Sequence, residues 1–498
     1  MINSNNWLQQ YGNIEDYQWR RSQSNGAEVY SRPVGLVESS FDADGRYYEG
    51  RADMNCELET AVKNLLDRDE FRERILLSWT LLRQRHLLLQ SKTFLDRKSG
   101  IHGSPSGMHF AVPVHASPSR AIEDAGKHLV FVGDYYETVD HRDFYLHCLN
   151  GSRVLDPSQA LAKCFVLPCS HEDGRQVLRF LFIFGHEISD GLSAYNWMND
   201  LIRILNEPLD QIKAETNGLI HPDALRKHLP PPQEALYPPI PGSKARQRWF
   251  WAITRLLRHV RKPLPVGFDN PLRRRQPREP VSFSPIYDKV LDYTRTPPLN
   301  TIPVYIHPAL ANVQRLHRIC REARSSIGAG VYALAALCMM EFYEEREPHI
   351  ALKDRKCFIT GFPLDPRAFF NKRPEADSMM LAFSDGIALP FLSSNLPVDG
   401  RLRLLARQAQ RQLSAYQKRA KPKGADATRQ FLNSRGAGLV LANQYLYSHE
   451  RADSILPENM RKGINVQGAY PPRGNPTGMS SFSNSQCTNM NGKLADNM

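Results

Sequence analysis

His186-Glu187-Ile188-Ser189-Asp190-Gly191 sets a base, a carboxylate four residues on and a glycine within one short stretch. Imidazole is the side chain whose ordinary pKa lets it take a proton near neutrality, so a histidine delivered into a cleft suits general-base catalysis. A zinc-protease site would need a second histidine four residues on, with both ligands on one helix. Asp190 stands at that place and Gly191 interrupts. A Ser-His-Asp hydrolase would need a Gly-x-Ser-x-Gly elbow, which the chain lacks. A lone histidine at a strand end is most often structural; here the whole pattern His-x-x-x-Asp-Gly sits behind a core strand, and that argues for chemistry.

The elements that must position this histidine are legible around it. Seven of the eight residues Val177–Phe184 are apolar, the mark of a buried central strand ending at Gly185. Beyond it, Met198, Leu201, Ile202 and Leu205 recur with a helical period over Leu192–Leu205. Upstream, Leu58–Leu66 and Glu70–Gln84 read as helices, the second running into Arg85-His86 and a chain of leucines, while Phe144–Leu149 and Lys163–Pro168 read as strands. Downstream come a strand at Ile302–His307, helices at Ala309–Ala323 and Ser326–Phe342, strands at Lys356–Phe362 and Gly386–Leu392, and a basic helix over 400–418. At 498 residues the chain is too long for one core. The expected division is an N-terminal lobe, 1–205, a proline-rich basic connection, 206–300, and a C-terminal lobe, 301–498.

Composition narrows the class. An apolar fraction of 41% and a charged fraction of 23% are those of an ordinary globular protein. The opening Met1-Ile2-Asn3-Ser4-Asn5-Asn6 is too polar for a secretory signal, and the most apolar run, Gly330–Phe342, contains Glu341 and falls short of a membrane span. Eight cysteines without a Cys-x-x-Cys pair fit reduced thiols rather than a disulfide frame or a metal site, so the expected address is the cytoplasm. Most of the net charge of +12 is local: Lys244–Arg278 holds eleven Lys or Arg against Asp269 alone. A nucleic-acid binder would spread such charge over a folded face with stacking aromatics, so no nucleic-acid partner is expected. Within 246–262, Trp249, Phe250, Ile253, Leu256, Leu257 and Val260 share one helical face and arginines occupy the rest. That segment reads as a helix packed on the body, with peripheral contact to an anionic membrane surface as the alternative.

His186-x-x-x-Asp190-Gly191 resembles the signature of the chloramphenicol-acetyltransferase-like superfamily, which includes plant-type acyltransferases, peptide-synthetase condensation domains and fungal O-acetyltransferases. Leu82-Arg83-x-Arg85-His86-x-x-Leu89 is similar to the segment ending the first helix of condensation-type members. Gly361-Phe362-Pro363-Leu364-Asp365-Pro366-Arg367 is similar to the second-lobe strand and its Asp-x-Arg ending. The apolar helix Ser326–Phe342 and the stretch Pro476–Asn484, with Ser480-Ser481-Phe482-Ser483-Asn484, complete the match. The subgroup it most resembles is the fungal O-acetyltransferases of the trichothecene 15-O-acetyltransferase kind. The chain departs from the plant-type members in lacking Asp-Phe-Gly-Trp-Gly, and it passes from Asn484 into a polar tail, so the C-terminal lobe reads as truncated at its end.

This resemblance implies an α/β fold of two lobes, each a mixed sheet flanked by helices, with the active site at their interface. It implies His186 as general base and Asp190 as a site-ordering carboxylate whose partner is Arg367. Gly191 would leave room for the acyl chain or pantetheine arm. Ser481 and Ser483 are candidate oxyanion donors, and His86 is a candidate second-layer histidine. The implied reaction moves an acetyl group from coenzyme A to a hydroxyl of a small secondary metabolite. Acyl-CoA would be a cosubstrate rather than a bound cofactor, no metal is called for, and the protein would act as a monomer. Two rivals stay open: a condensation-type enzyme fed by a carrier-protein-bound donor, and a degenerate homologue without activity.

Overall fold

The computed structural model describes most of residues 17–414, together with a strand at 487–492. Positions 25, 48–49, 51–52, 63–65, 97–106, 173–174, 237–241, 273–282, 296–305, 371–373, 385 and several between 244 and 263 lie outside the description. In chain order the first half contains β1 (Arg20–Ser24), β2 (Ala27–Pro33), α1 (Leu36–Tyr47), β3 (Met54–Val62), α2 (Arg68–Arg85), β4 (Lys92–Leu95), β5 (Met108–Pro113), α3 (Pro118–Lys127), β6 (Leu129–Phe131), α4 (His141–Asn150), β7 (Ala162–Val166), β8 (Ser170–Glu172), β9 (Arg175–Phe184) and α5 (Gly191–Leu205). Next come α6 (Leu209–Leu219), α7 (Pro222–His228), α8 (Leu310–Glu322), α9 (Ile327–Arg346), β10 (Phe358–Thr360), β11 (Pro363–Leu364), β12 (Ala382–Phe383), β13 (Ile387–Leu389), α10 (Val398–Leu413) and β14 (Cys487–Gly492).

The main sheet runs β14-β3-β9-β7-β6, with β8 hairpinned on β9. As the apolar run Val177–Phe184 demands, β9 is central, pairing antiparallel with β3 on one side and β7 on the other. Phe180, Phe182 and Phe184 stack along one face at 5.8 and 5.7 Å between ring centroids. That face meets Trp79 of α2 and Trp197 of α5 in the largest apolar core, which takes residues from Val34 to Ile212. A second sheet, β1-β2-β5-β4, stands beside it. A second core gathers residues from Phe268 to Ala409, where α9 packs on α10 and the pair β10–β13. By length and composition α9 could cross a bilayer, yet it buries Ala333, Ala336, Met340 and Tyr343 in this core.

Two elements differ from the sequence expectation. Residues 54–62 are a strand where 58–66 suggested a helix: Cys56 and Leu58 are fully buried on one face, and pairing with β9 and β14 outweighs the helix preference of Glu57, Leu58, Glu59 and Ala61. Residues 141–150 are a helix where 144–149 suggested a strand. Asp140 caps that helix by accepting from the Arg142 and Asp143 amides, a start signal that outweighs the short aromatic run. The strand expected at 302–307 lies largely outside the described residues, and that at 476–484 wholly so. Within 246–262, Trp249 and Leu256 are helical but 67% and 61% exposed, so at these positions the apolar face is not packed on the body.

Candidate active site

Gly185 ends β9, and the chain turns at once: the Gly185 amide donates to Leu161 O, and the Ile188 amide returns to Gly185 O. A Cβ at Gly185 would come within 2.7 Å of the Glu187 carboxylate, so any larger residue there would have to displace that side chain. Every residue from Val177 to Asp190 is buried. Inside this turn the His186 ring packs face to face on Phe41 of α1, centroids 4.0 Å apart.

The tautomer of His186 follows from its partner. Nδ1 lies 2.8 Å from the Ser189 carbonyl oxygen, which can only accept, so Nδ1 carries the proton and Nε2 the lone pair. Burial pulls its pKa below the ordinary histidine value, so the ring is neutral at neutral pH. A buried neutral imidazole with Nε2 unprotonated is ready to take a proton.

Asp190 does not offer a second base, because both its oxygens are occupied. One accepts from the Ser193 amide at 2.9 Å, while Ser193 Oγ accepts from the Asp190 amide, a reciprocal cap that starts α5. The other meets Arg367 Nη2 at 2.7 Å and the Met380 amide at 2.9 Å. Arg367 is 1% exposed and also donates to Ser378 O. The carboxylate thus ties the histidine turn to residues nearly two hundred positions away. At Gly191 an added Cβ would meet nothing within 4 Å, so the space beside the turn is open.

His86 caps the end of α2, its Nδ1 2.6 Å from Asp377 and its Nε2 3.2 Å from Asp200. Ser481 and Ser483 lie outside the described residues. Sequence reasoning missed Phe41, Asp377 and Met380, none of which carries a local signal. It also passed over Glu187, whose fully buried carboxyl finds no hydrogen-bond partner among the described residues and lies 3.7 Å from Arg153. Burial pushes that carboxyl up to about 8, which keeps it uncharged at neutral pH. Among the described residues no cluster of three or more His, Cys, Asp or Glu could hold a metal ion.

No family model and no curated protein matches the chain. Solved structures do. The TRI3 trichothecene 15-O-acetyltransferase of Fusarium sporotrichioides aligns with a TM-score of 0.54 at 13% identity, over 89% of this chain and 80% of that one. The first condensation domain of the CDA synthetase aligns at 0.41 and 11% identity, over 77% and 76% of the two chains. The starter condensation domain of rhizomide synthetase, solved with C8-CoA, aligns at 0.38 and 11%, over 77% and 72%. The chain has the chloramphenicol-acetyltransferase-like fold, a mixed α/β architecture of several sheets flanked by helices.

Proposed function

We propose that the protein is an acyltransferase that moves an acetyl group from coenzyme A to a hydroxyl of a small secondary metabolite, with His186 as general base. The observation that carries this reading is the hydrogen bond from His186 Nδ1 to Ser189 O, which leaves the lone pair on Nε2 in a buried ring. Nε2 would take the hydroxyl proton as that oxygen attacks the thioester carbonyl carbon. Collapse of the tetrahedral intermediate breaks the C–S bond, and the imidazolium returns its proton to the leaving thiolate. Base catalysis of this kind is worth about 10²–10⁴-fold. Asp190 and Arg367 hold the turn and carry no proton.

The test is coenzyme A release from acetyl-CoA with a panel of hydroxylated terpenoid and polyketide acceptors, run beside an acetyl group loaded on a phosphopantetheinylated carrier protein. Acceptor-dependent release from acetyl-CoA supports the reading. Transfer from the carrier alone would replace it with a condensation-type activity, and no transfer from either donor by folded protein would overturn it in favour of a non-catalytic homologue.

A further inference from the structure

Residues 376–381 lie across the first-half elements that carry the histidine turn, and their polar groups are tied down one after another. Asn196 Nδ2 donates to Ala376 O at 3.0 Å, and Trp197 Nε1 donates to Asp377 Oδ1 at 2.8 Å. Arg367 holds Ser378 O at 2.6 Å, the Met380 amide donates to Asp190 at 2.9 Å, and the Leu381 amide donates to Gln233 at 2.8 Å. Between them Met379 is fully buried against Val37 and Phe41, and Phe41 is the ring stacked on His186. This one strap therefore touches both supports of the base: the carboxylate that orders its turn and the aromatic ring beneath it.

The strap is anchored at Asp377 by His86, which stands at the end of a different element. Both ring nitrogens of His86 face carboxylates, Asp377 at 2.6 Å and Asp200 at 3.2 Å, and a carboxylate only accepts. Donation from both nitrogens requires the imidazolium. Burial works against that charge, but the hydrogen bonds to Asp200 and Asp377 outweigh it and hold the group up to about 9. The positive charge nearest this site, Arg85, is shared among Asp200, Glu207 and Glu215, and the neutral Trp197 ring lies 6.3 Å from the imidazole.

We propose that His86 is a positioning residue for acyl transfer, anchoring the 376–381 strap through Asp377 so that Asp190 and Phe41 hold His186 in its working orientation. This rests on the reading of His186 as the base. Positional errors of about 1 Å cost rate, on the order of 10²-fold, with little need to change binding.

The test compares the full-length wild type with His86→Gln, Asp377→Asn and the double variant, by steady-state kinetics and by amide hydrogen exchange of the peptide spanning Met380 and Leu381. The single variants are expected to raise exchange at these amides at least about tenfold, because opening becomes local rather than global. They should lower kcat by about 10- to 100-fold with KM for donor and acceptor nearly unchanged, and the double variant should lose no more than either single one. The alkaline fall in wild-type kcat, as His86 loses its proton, should be absent from His86→Gln. Unchanged strap exchange in His86→Gln, or a folded His86→Gln with wild-type kcat, overturns the proposal. Should His86→Gln fail to fold, Asp377→Asn carries both readouts. An inactive wild type would instead fail the acyltransfer reading, and the exchange result alone would then decide whether His86 anchors the strap.

Discussion

Within the His186–Asp190 turn, the partners of the histidine ring and of the aspartate carboxylate limit what each can do. Ser189 O fixes the His186 tautomer, and Ser193, Met380 and Arg367 use up the Asp190 carboxylate. Two predictions belong at this scale. Asp190→Ala takes from buried Arg367 its nearer carboxylate, leaving only Asp365 at 3.3 Å, and should cost about 3 kcal/mol of unfolding free energy, read by denaturant titration, rather than abolish proton transfer in the molecules that still fold. Because burial lowers the His186 pKa, the neutral base should persist to more acid pH than an ordinary imidazole. The acid limb of kcat/KM is therefore expected below 6.5, measured with a saturating co-substrate. A limb at or above that value would contradict the buried, neutral ring. The sequence made the turn itself visible, since a histidine, an aspartate and a glycine at fixed spacing follow an apolar run. Phe41 and Asp377 were invisible, because they reach His186 and His86 from 145 and 291 positions away with no motif to mark them.

Those long-range neighbours are delivered by whole elements, and α1 shows how. Arg32, at the end of β2, makes a two-pronged ion pair with Glu38 in the first turn of α1, both oxygens 2.7 Å away and both side chains essentially unexposed. Trp19 and Phe110 flank the guanidinium at 4.9 and 5.0 Å, and the Gly35 amide adds a bond to Glu38. This clamp sets where α1 begins, and so where Phe41 meets His186. Glu38→Ala leaves Arg32 buried without its counter-charge. It should destabilise the protein by about 3–5 kcal/mol in urea unfolding, and a loss under about 1 kcal/mol would show that the clamp does not place the helix. At the element scale β9, α2, α5 and α9 were readable because strong apolar runs and helical periods marked them. For β3 the signal was the two-residue alternation of Cys56 and Leu58, masked by residues that favour helices. In α4 the overlooked signal was the capping Asp140. Both misreadings arise where pairing or capping, rather than local preference, decides the conformation.

Across the whole molecule, the two largest apolar cores draw on residues 34–212 and 268–409, and the Asp190–Arg367 pair, the His86–Asp377 contact and the packing of Met379 on Val37 and Phe41 tie these parts of the chain together at the site. Their joint stability should depend on pH with a definite sign. The folded-state pKa of His86 is raised from 6.5 to about 9, so its contribution is fully present below 6.5 and is lost as pH rises through about 9. The melting temperature of the wild type should fall across that window, and His86→Gln should show a flatter profile; identical profiles would contradict the assignment. The net charge, the feature most prominent in the composition, is concentrated in 244–278, apart in sequence from His86, His186, Asp190 and Arg367. The central claim is that His186 takes the proton from the acceptor hydroxyl, and it is tested most directly by acceptor-dependent acetyl transfer in the wild type and in folded His186→Ala. The account predicts transfer by the wild type and a loss of about 10²–10⁴-fold in kcat/KM in the variant. A His186→Ala protein that transfers acetyl groups at the wild-type rate would contradict it.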